Sequence, residues 1–406
     1  MVSLYEVSNR LIRGVETRWF RRPLFNKLNP DSRLIEISGS RGVGKTTLML
    51  QKAYEINLHA PGKVLYTSLD DPWYYSNTII EMARGFDRDG GKYLFLDEVH
   101  KYPPKHKDND WSSELKIIYD QQPNLRVTYS GSSIIKLNKG KGDLSRRRDT
   151  YNLPGLSFRE YLEFNNVYKT VPVTLEDITS RHTELAGDIL SEIKPIPLIK
   201  KYWTNGYFPF YNENPEKYNE RLKSIISVIL ETDIPSVADI PIEAIIKMKK
   251  LLAVVAGSAP YTPNLSKTGS ELFITDARTL LKYLNLLDQS ELISLLGKES
   301  RGNQQLRKPD KIYLGNPNYI QCFTSKDPDP GTVRETFFMN QLSAVADVKN
   351  AKKGDFLVND NLVFEIGGRN KKPNQTKDIE NAWMCLDDIE TGFARTIPLW
   401  LFGFLY

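Results

Sequence analysis

The chain has 406 residues, 40% hydrophobic and 26% charged. That length predicts two to four domains at about 100–200 residues each, and the composition excludes a disordered chain. No apolar run approaches the ~20 residues that span a bilayer, so no membrane partner is expected. The two cysteines, Cys322 and Cys385, are too few for a disulfide framework and lack metal-ligand spacing. The opening MVSLYEVSNRLIRG lacks the apolar core of a signal peptide, so the expected compartment is the cytoplasm. A formal net charge of +5 permits nucleic-acid contact without requiring it.

The first strong signal is RLIEISGSRGVGKTTLMLQKAY, beginning at Arg33. It reads as strand, glycine loop and helix, with Leu48, Leu50 and Ala53 at helical spacing. Gly39, Gly44, Lys45 and Thr46 satisfy G-x-x-x-x-G-K-[ST], the phosphate loop. Glycines let backbone N–H groups turn inward around a phosphate, and the helix directs its positive end at the same group. The expected nucleotide-binding residues are Gly39, Ser40, Arg41, Gly42, Val43, Gly44, Lys45, Thr46 and Thr47. Lys45 is expected on the β/γ oxygens, and Thr46 on Mg²⁺. ATP and Mg²⁺ are the implied cofactors.

Three more strands follow. KVLYTSLDDP (63–72) ends in acids. GKYLFLDEVHKYP carries four apolar residues into Asp97 and Glu98; Asp97 is placed for the Mg²⁺ water shell, and Glu98 to deprotonate the attacking water. His100, just beyond, reads as a solvent-side or loop residue. LRVTYSGSS (125–133) delivers Ser130, Ser132 and Ser133. Ser130 suits a γ-phosphate sensor, although Ser-Gly-Ser-Ser also suits a plain turn.

With SGSS, an arginine run and LPGLSFREYL, the chain resembles a group of bacterial and archaeal AAA+-like ATPases that carry a C-terminal nuclease-like domain. In that family a Gly-Arg precedes the Leu-Pro-x-Leu-Ser-Phe segment; here Arg147 takes the Arg position and Arg146 replaces the Gly. The resemblance implies an arginine finger at Arg147, acting within one chain or across a homo-oligomer. A solvated basic run is the alternative. Ser157 and Glu160 form a capping box that opens the first lid helix. Gly206 and Pro209 match a Gly-Pro element that faces nucleotide in related ATPases; an inter-helix turn is the plainer reading. The resemblance implies an ATP-dependent conformational machine and supplies no substrate.

From about residue 236, short helices lead to TDARTLLKYLNLLDQSELISLL, with Ala277, Leu280, Leu281, Leu284 and Leu287 on one face. Two strand-like segments and a basic hairpin follow, the layout of a winged helix. Thr275, Arg278, Lys282 and Asn285 on the helix, and Lys298, Arg301, Arg307 and Lys308 on the wing, are candidate DNA contacts. Packing or protein contact is the alternative use of such a module.

The C-terminal part contains VFEIGGRNKKPNQ (363–375). Glu335 on a helix, Asp355 and Glu365 on a hairpin, and Gln375 opening a further helix match the carboxylates and extra polar residue of the PD-(D/E)xK nuclease fold. Gly367 stands where that fold carries its lysine, with Arg369 or Lys371 available from the loop. A degenerate nuclease site is expected. The terminal IPLWLFGFLY reads as a strand-sized apolar run.

The whole reads as an α/β chain: a P-loop NTPase (AAA+-like) parallel-sheet domain at 1–153, a helical lid at 154–235, a winged-helix-like domain at 236–318 and a PD-(D/E)xK-like domain at 319–406. Three function classes stay open: an ATP-driven switch on DNA, a nucleotide-dependent scaffold for a protein partner, and an ATP-gated nuclease.

Overall fold

The computed structural model describes residues 2–15, 20–103, 110–133, 143–258, 260–298, 308–323, 328–372 and 376–406. Packing divides the chain into two compact units, 1–154 with 232–239 and 155–231 with 240–406.

The first unit is built on β1 (Leu34–Gly39), β2 (Val64–Ser68), β3 (Tyr93–Asp97), β4 (Arg126–Ser132) and β5 (Asp149–Asn152). Their order is β2-β3-β4-β1-β5, and every neighbouring pair is parallel. All six residues of β1 are buried, as a parallel sheet covered on both faces requires. Leu34, Leu94, Leu96 and Val127 pack with Met82 and Phe86 of helix Ile79–Arg88 and Leu115 and Ile118 of helix Trp111–Gln121. The outer edge of β2 is closed by helix Val2–Arg13, whose Ser8 Oγ accepts the Tyr66 N–H at 2.9 Å. An uncovered edge would be open to pairing with another chain.

One charged cluster lies inside the sheet. Glu36 on β1, 2% exposed, accepts from the Tyr129 hydroxyl at 2.8 Å and from Arg148 Nη1 at 2.6 Å. Arg148 also donates to the Tyr129 hydroxyl at 3.0 Å. Arg148 thus belongs to the sheet, whereas the sequence reads 146–148 as one solvated or phosphate-facing run.

The second unit is largely helical, with two small sheets. Ser157 and Glu160 form the expected capping box at helix Phe158–Phe164, with reciprocal bonds of 3.1 Å. Buried Asn318, on helix Pro317–Phe323, uses its whole side chain. It accepts from Tyr207 N and the Tyr218 hydroxyl and donates to the carbonyls of Tyr202 and Trp203, at 2.6–3.0 Å. Helices Ile242–Ser258, Leu265–Glu271 and Ala277–Gln289 precede β6 (Ile293–Leu296) and β7 (Lys311–Leu314), an antiparallel pair. Ala277, expected on the apolar face, is exposed because it sits in the first turn beside the Asp276 cap; Tyr283 and Leu286 fill the buried face instead.

The last sheet contains β8 (Val348–Asn350), β9 (Phe356–Val358), β10 (Leu362–Gly367), β11 (Ala382–Leu386) and β12 (Thr396–Pro398), in the order β12-β11-β10-β9-β8. β10 runs antiparallel to β9 and parallel to β11. Phe338 of helix Pro330–Ser343 seats against Phe356, Phe364 and Phe402 with ring centroids 4.8–5.3 Å apart. The terminal apolar run is a strand only as far as Pro398. Leu399–Phe404 winds into a 3₁₀ turn with all six residues buried, the outcome for a run without alternation that meets core on every side. No helix opens after residue 375: residues 376–381 form turns before β11. Gln375, Arg301 and Arg307 lie outside the described residues.

Replacing Arg148 with Met leaves the Glu36 carboxylate buried with only the Tyr129 hydroxyl. Breaking a buried pair costs about 3–5 kcal/mol, and the partial exposure of Arg148 places this one at the lower end. Urea denaturation of Arg148→Met should show a loss of that size.

Candidate functional site

β1 ends at Gly39, where a side chain is sterically excluded. A Cβ there would stand 2.3 Å from the Leu153 carbonyl oxygen, on a backbone with φ +155°. Gly44, at φ 99°, turns the loop into helix Lys45–His59, a conformation glycine adopts without penalty. Lys45 is buried and donates to the carbonyls of Gly39 and Ser40 at 2.8 and 2.9 Å. Ser40 Oγ is buried with no hydrogen-bond partner among the described residues, an unmet polar atom in a loop shaped for anions. Arg22, which no sequence motif marks, braces the loop by donating to the carbonyls of Val43 and Pro154.

Because β4 lies between β1 and β3, Ser130 comes beside Asp97. The Asp97 carboxylate, 2% exposed, collects three hydroxyls: Thr46 at 2.6 Å, Tyr66 at 2.7 Å, and Ser130 in a short contact. Burial and the neighbouring Asp97 push the Tyr66 hydroxyl well above its ordinary range, so it stays a donor. The Glu98 N–H donates to Asp97 Oδ1 at 3.1 Å and to Ser130 Oγ at 3.3 Å. Ser130 therefore meets the Asp97 carboxylate and the Glu98 main chain at once. The Thr46 hydroxyl and the Asp97 carboxylate, adjoining hard oxygens at the start of a helix, fit Mg²⁺.

Glu98 has a left-handed backbone, φ 54°. Its Oε2 lies 3.6 Å from Arg41 Nη2, 3.5 Å from His100 Nε2 and 3.8 Å from Lys101 Nζ. Arg41 is held in turn by Asp233, through Nε at 3.2 Å and Nη2 at 2.8 Å. His100 Nε2 is 3.7 Å from the same carboxylate. His100 is thus not a solvent-side residue: its side chain is 2% exposed, enclosed between Glu98 and Asp233. Burial works against the Asp233 charge, but His100 and Arg41 outweigh it and hold the carboxyl below its ordinary range.

Arg147 pairs with Asp120 at 3.1 Å and its guanidinium lies 5.9 Å from the Tyr119 ring centre. Gly206 and Pro209 belong to the second unit. There Gly206 ends helix Pro195–Asn205, with Tyr202 and Tyr161 filling the space a Cβ would take, and Pro209 opens a 3₁₀ turn.

The parallel sheet and its phosphate loop define a P-loop nucleotide-binding domain. Residues 31–162 match the family model described as an AAA domain, so this part of the chain is similar to that family. Residues 196–327 match a domain of unknown function, DUF8612. No curated protein matches the chain. Among solved structures, AMPPCP-bound DnaA from Aquifex aeolicus is 15% identical, over 71% of this chain and 87% of that one, with a TM-score of 0.27. A mutant of RuvB from Thermotoga maritima is 13% identical over 72% and 89%, with a TM-score of 0.31. ORC1 from Aeropyrum pernix in complex with DNA is 13% identical over 84% and 93%, also at 0.31. Among the described residues no helix is long and apolar enough to cross a membrane.

A second charged cluster sits in the C-terminal sheet. Glu365 on β10 is 2% exposed and accepts from Thr376 Oγ1 at 2.8 Å. Asp355, just before β9, accepts the Ile366 N–H at 2.8 Å. Lys371 reaches in from the loop and donates to the Ile366 carbonyl at 2.6 Å. Its Nζ lies 3.4 Å from Glu365 Oε1 and 3.6 Å from Asp355 Oδ2. Arg369, another loop cation, is exposed. Gly367 makes this geometry possible: a Cβ there would stand 2.3 Å from Lys371 Cδ. Lys311 on β7 lies 3.6 Å from Asp355 Oδ1. Glu335 accepts from the Tyr313 hydroxyl at 2.8 Å, and burial, followed by Asp355, raises its carboxyl above the ordinary range. Among the described residues no three His, Cys, Asp or Glu side chains gather to hold a metal. Lys371 thus sets its ammonium against both Glu365 and Asp355.

Gly367→Ala should expel Lys371 and leave Glu365 and Asp355 short of a cation. Thermal unfolding of this variant should begin several degrees lower, on the order of 5 °C. An unchanged transition would show that Lys371 does not carry the cluster.

Proposed function

We propose that the chain is a Mg²⁺-dependent ATPase whose turnover drives a conformational switch acting on DNA. The observation that carries the hydrolytic part is the single network joining Thr46, Asp97, Ser130 and the Glu98 backbone. Binding alone needs a phosphate loop; it does not need an acid held one residue beyond the metal-facing aspartate. In this reading Thr46 and Asp97 hold Mg²⁺, which supplies charge neutralisation at the phosphates. Lys45 exchanges its loop carbonyls for phosphate oxygens, and Ser130 keeps the two acids in register. Glu98 takes the proton of the water whose oxygen attacks the γ-phosphorus, while the bond from that phosphorus to the β–γ bridging oxygen breaks and ADP leaves. Arg147 is the finger that meets a neighbouring copy.

The DNA part rests on the winged-helix-like order of helices and β6–β7. Thr275, Arg278 and Lys282 are exposed on one helix with Asn285 half-buried, and Lys298 and Lys308 are exposed at the described ends of the hairpin. A basic helix face of this kind fits a duplex groove. One observation favours the alternative, a protein partner. Ile242, Ile246 and Phe273 are 76%, 52% and 79% exposed. Lys247 Nζ donates to the Phe273 carbonyl at 2.8 Å, which ties the loop carrying Phe273 to the helix carrying Ile242 and Ile246. The C-terminal sheet is, in this reading, a PD-(D/E)xK-like scaffold in which Lys371 has displaced the metal, so it docks and does not cut.

Glu98→Gln should retain ATP binding within about twofold and lose hydrolysis by about 10²-fold or more, in the range for a positioned general base; unchanged hydrolysis would remove the role assigned to Glu98. Duplex DNA should raise wild-type ATPase activity, and the stimulation should fall steeply between low and physiological salt. Activity that depends on Glu98 but ignores DNA at every salt concentration would move the recognition surface to the apolar trio. In the same reactions a labelled duplex should remain intact with Mg²⁺ or Mn²⁺.

A further inference from the structure

Asp233 is a costly residue in its place. It is 0% exposed, it ends a π-helical stretch, Ile229–Asp233, and it reaches a phosphate loop 192 residues earlier in the chain. Among the described residues beyond 154, its segment, Thr232–Asp239, is the one that belongs to the first unit. On both sides its covalent neighbours, Glu231 and Ile240, belong to the second unit. π-helical turns are rare and concentrate at functional positions. A buried carboxylate persists only when it is compensated; here the Arg41 guanidinium does so, and His100 Nε2 stands 3.7 Å away. Both also face the carboxylate of Glu98.

The consequence is competition. Arg41 lies inside the phosphate loop, yet its Nε and Nη2 are both bonded to Asp233 in a two-point contact, the strongest geometry for such a pair. The same Nη2 stands 3.6 Å from Glu98. We infer that Asp233 is a positioning residue that withholds Arg41 from the nucleotide and, through Arg41 and His100, holds Glu98 at rest. Segment 232–239 is then the element by which the second unit sets the first unit's turnover. Withdrawal of Asp233 frees the guanidinium for the terminal phosphate and frees Glu98 for the water. The rate part of this inference rests on the hydrolysis proposed above; the binding part does not.

The test uses the full chain with Asp233→Asn, Arg41→Lys, Arg41→Gln and the double variant Asp233→Asn/Arg41→Gln. Two quantities are read: equilibrium affinity for ADP and for a non-hydrolysable ATP analogue, and the single-turnover hydrolysis rate. Asp233→Asn should tighten the ATP analogue by about fivefold, the lower end of ordinary coupling between sites, and leave ADP within about twofold. It should raise the hydrolysis rate by about the same factor. Both gains should vanish in the Arg41→Gln background. Should Asp233→Asn fail to fold, Arg41→Lys serves instead. It keeps the cation but cannot make the fork, and should raise the rate in the same direction by less.

A loss of rate with parallel loss of both nucleotides would show Asp233 to be purely structural and overturn the inference. So would unchanged values, or a gain that persists without Arg41. A wild type that binds but never hydrolyses would end the hydrolysis reading. A tighter ATP analogue in Asp233→Asn would still establish the latch on Arg41.

Discussion

The first unit depends on one desolvated carboxylate. Asp97 gives up water at the end of β3 and recovers its hydrogen bonds from three hydroxyls, carried by β2, β4 and the helix after the phosphate loop. Each donor has to arrive at the right depth. The parallel register of β2, β3 and β4 sets that depth for Tyr66 and Ser130, and the glycine loop sets it for Thr46. A buried acid lacking any one of these donors would cost on the order of 1–3 kcal/mol. The strand order is therefore more than an architectural label: with β4 displaced, the acid would lose both a ligand and its link to Glu98.

The two units solve the same electrostatic problem with opposite consequences. In each, acids at a strand end are removed from water and compensated by nearby donors. Around Asp97 the balance is made by neutral hydroxyls, which can be exchanged for a divalent ion and its waters. Around Glu365 it is made by an ammonium that also donates to a backbone carbonyl and lies over a residue with no side chain. That cation is covalently part of the fold and cannot leave without moving the loop. The first arrangement is built to accept a ligand, and the second to need none.

What can be read in advance is whatever is local. The phosphate loop declares itself through glycine spacing between a strand and a helix, and Ser157 and Glu160 through a three-residue interval. Asp97 and Glu98 stand out because an apolar run delivers them. The remainder is set by contacts between distant residues, each without a pattern of its own. Glu36, Tyr129 and Arg148 meet only once the sheet is assembled. His100 reads as a loop residue because the segment that buries it, 232–239, comes more than a hundred residues later. Lys371 is one of three cations in its loop, with Arg369 and Lys372, and the space over Gly367 selects it. The terminal run has strand composition, but enclosure on every side turns it into a 3₁₀ coil.

Asn318 has a bearing on what counts as a separable part of this chain. Its four hydrogen bonds join Pro317–Phe323 to Tyr202, Trp203, Tyr207 and Tyr218, so the far end of the 196–327 match is tied to its near end. A polypeptide cut anywhere between 219 and 316 divides that amide from all four partners at once. The piece carrying Asn318 keeps a buried amide with nothing to bond, and the other keeps two carbonyls, an N–H and a hydroxyl in the same condition. Such pieces should be recovered together or not at all, which makes this stretch one folding unit whatever number of domains its helices suggest.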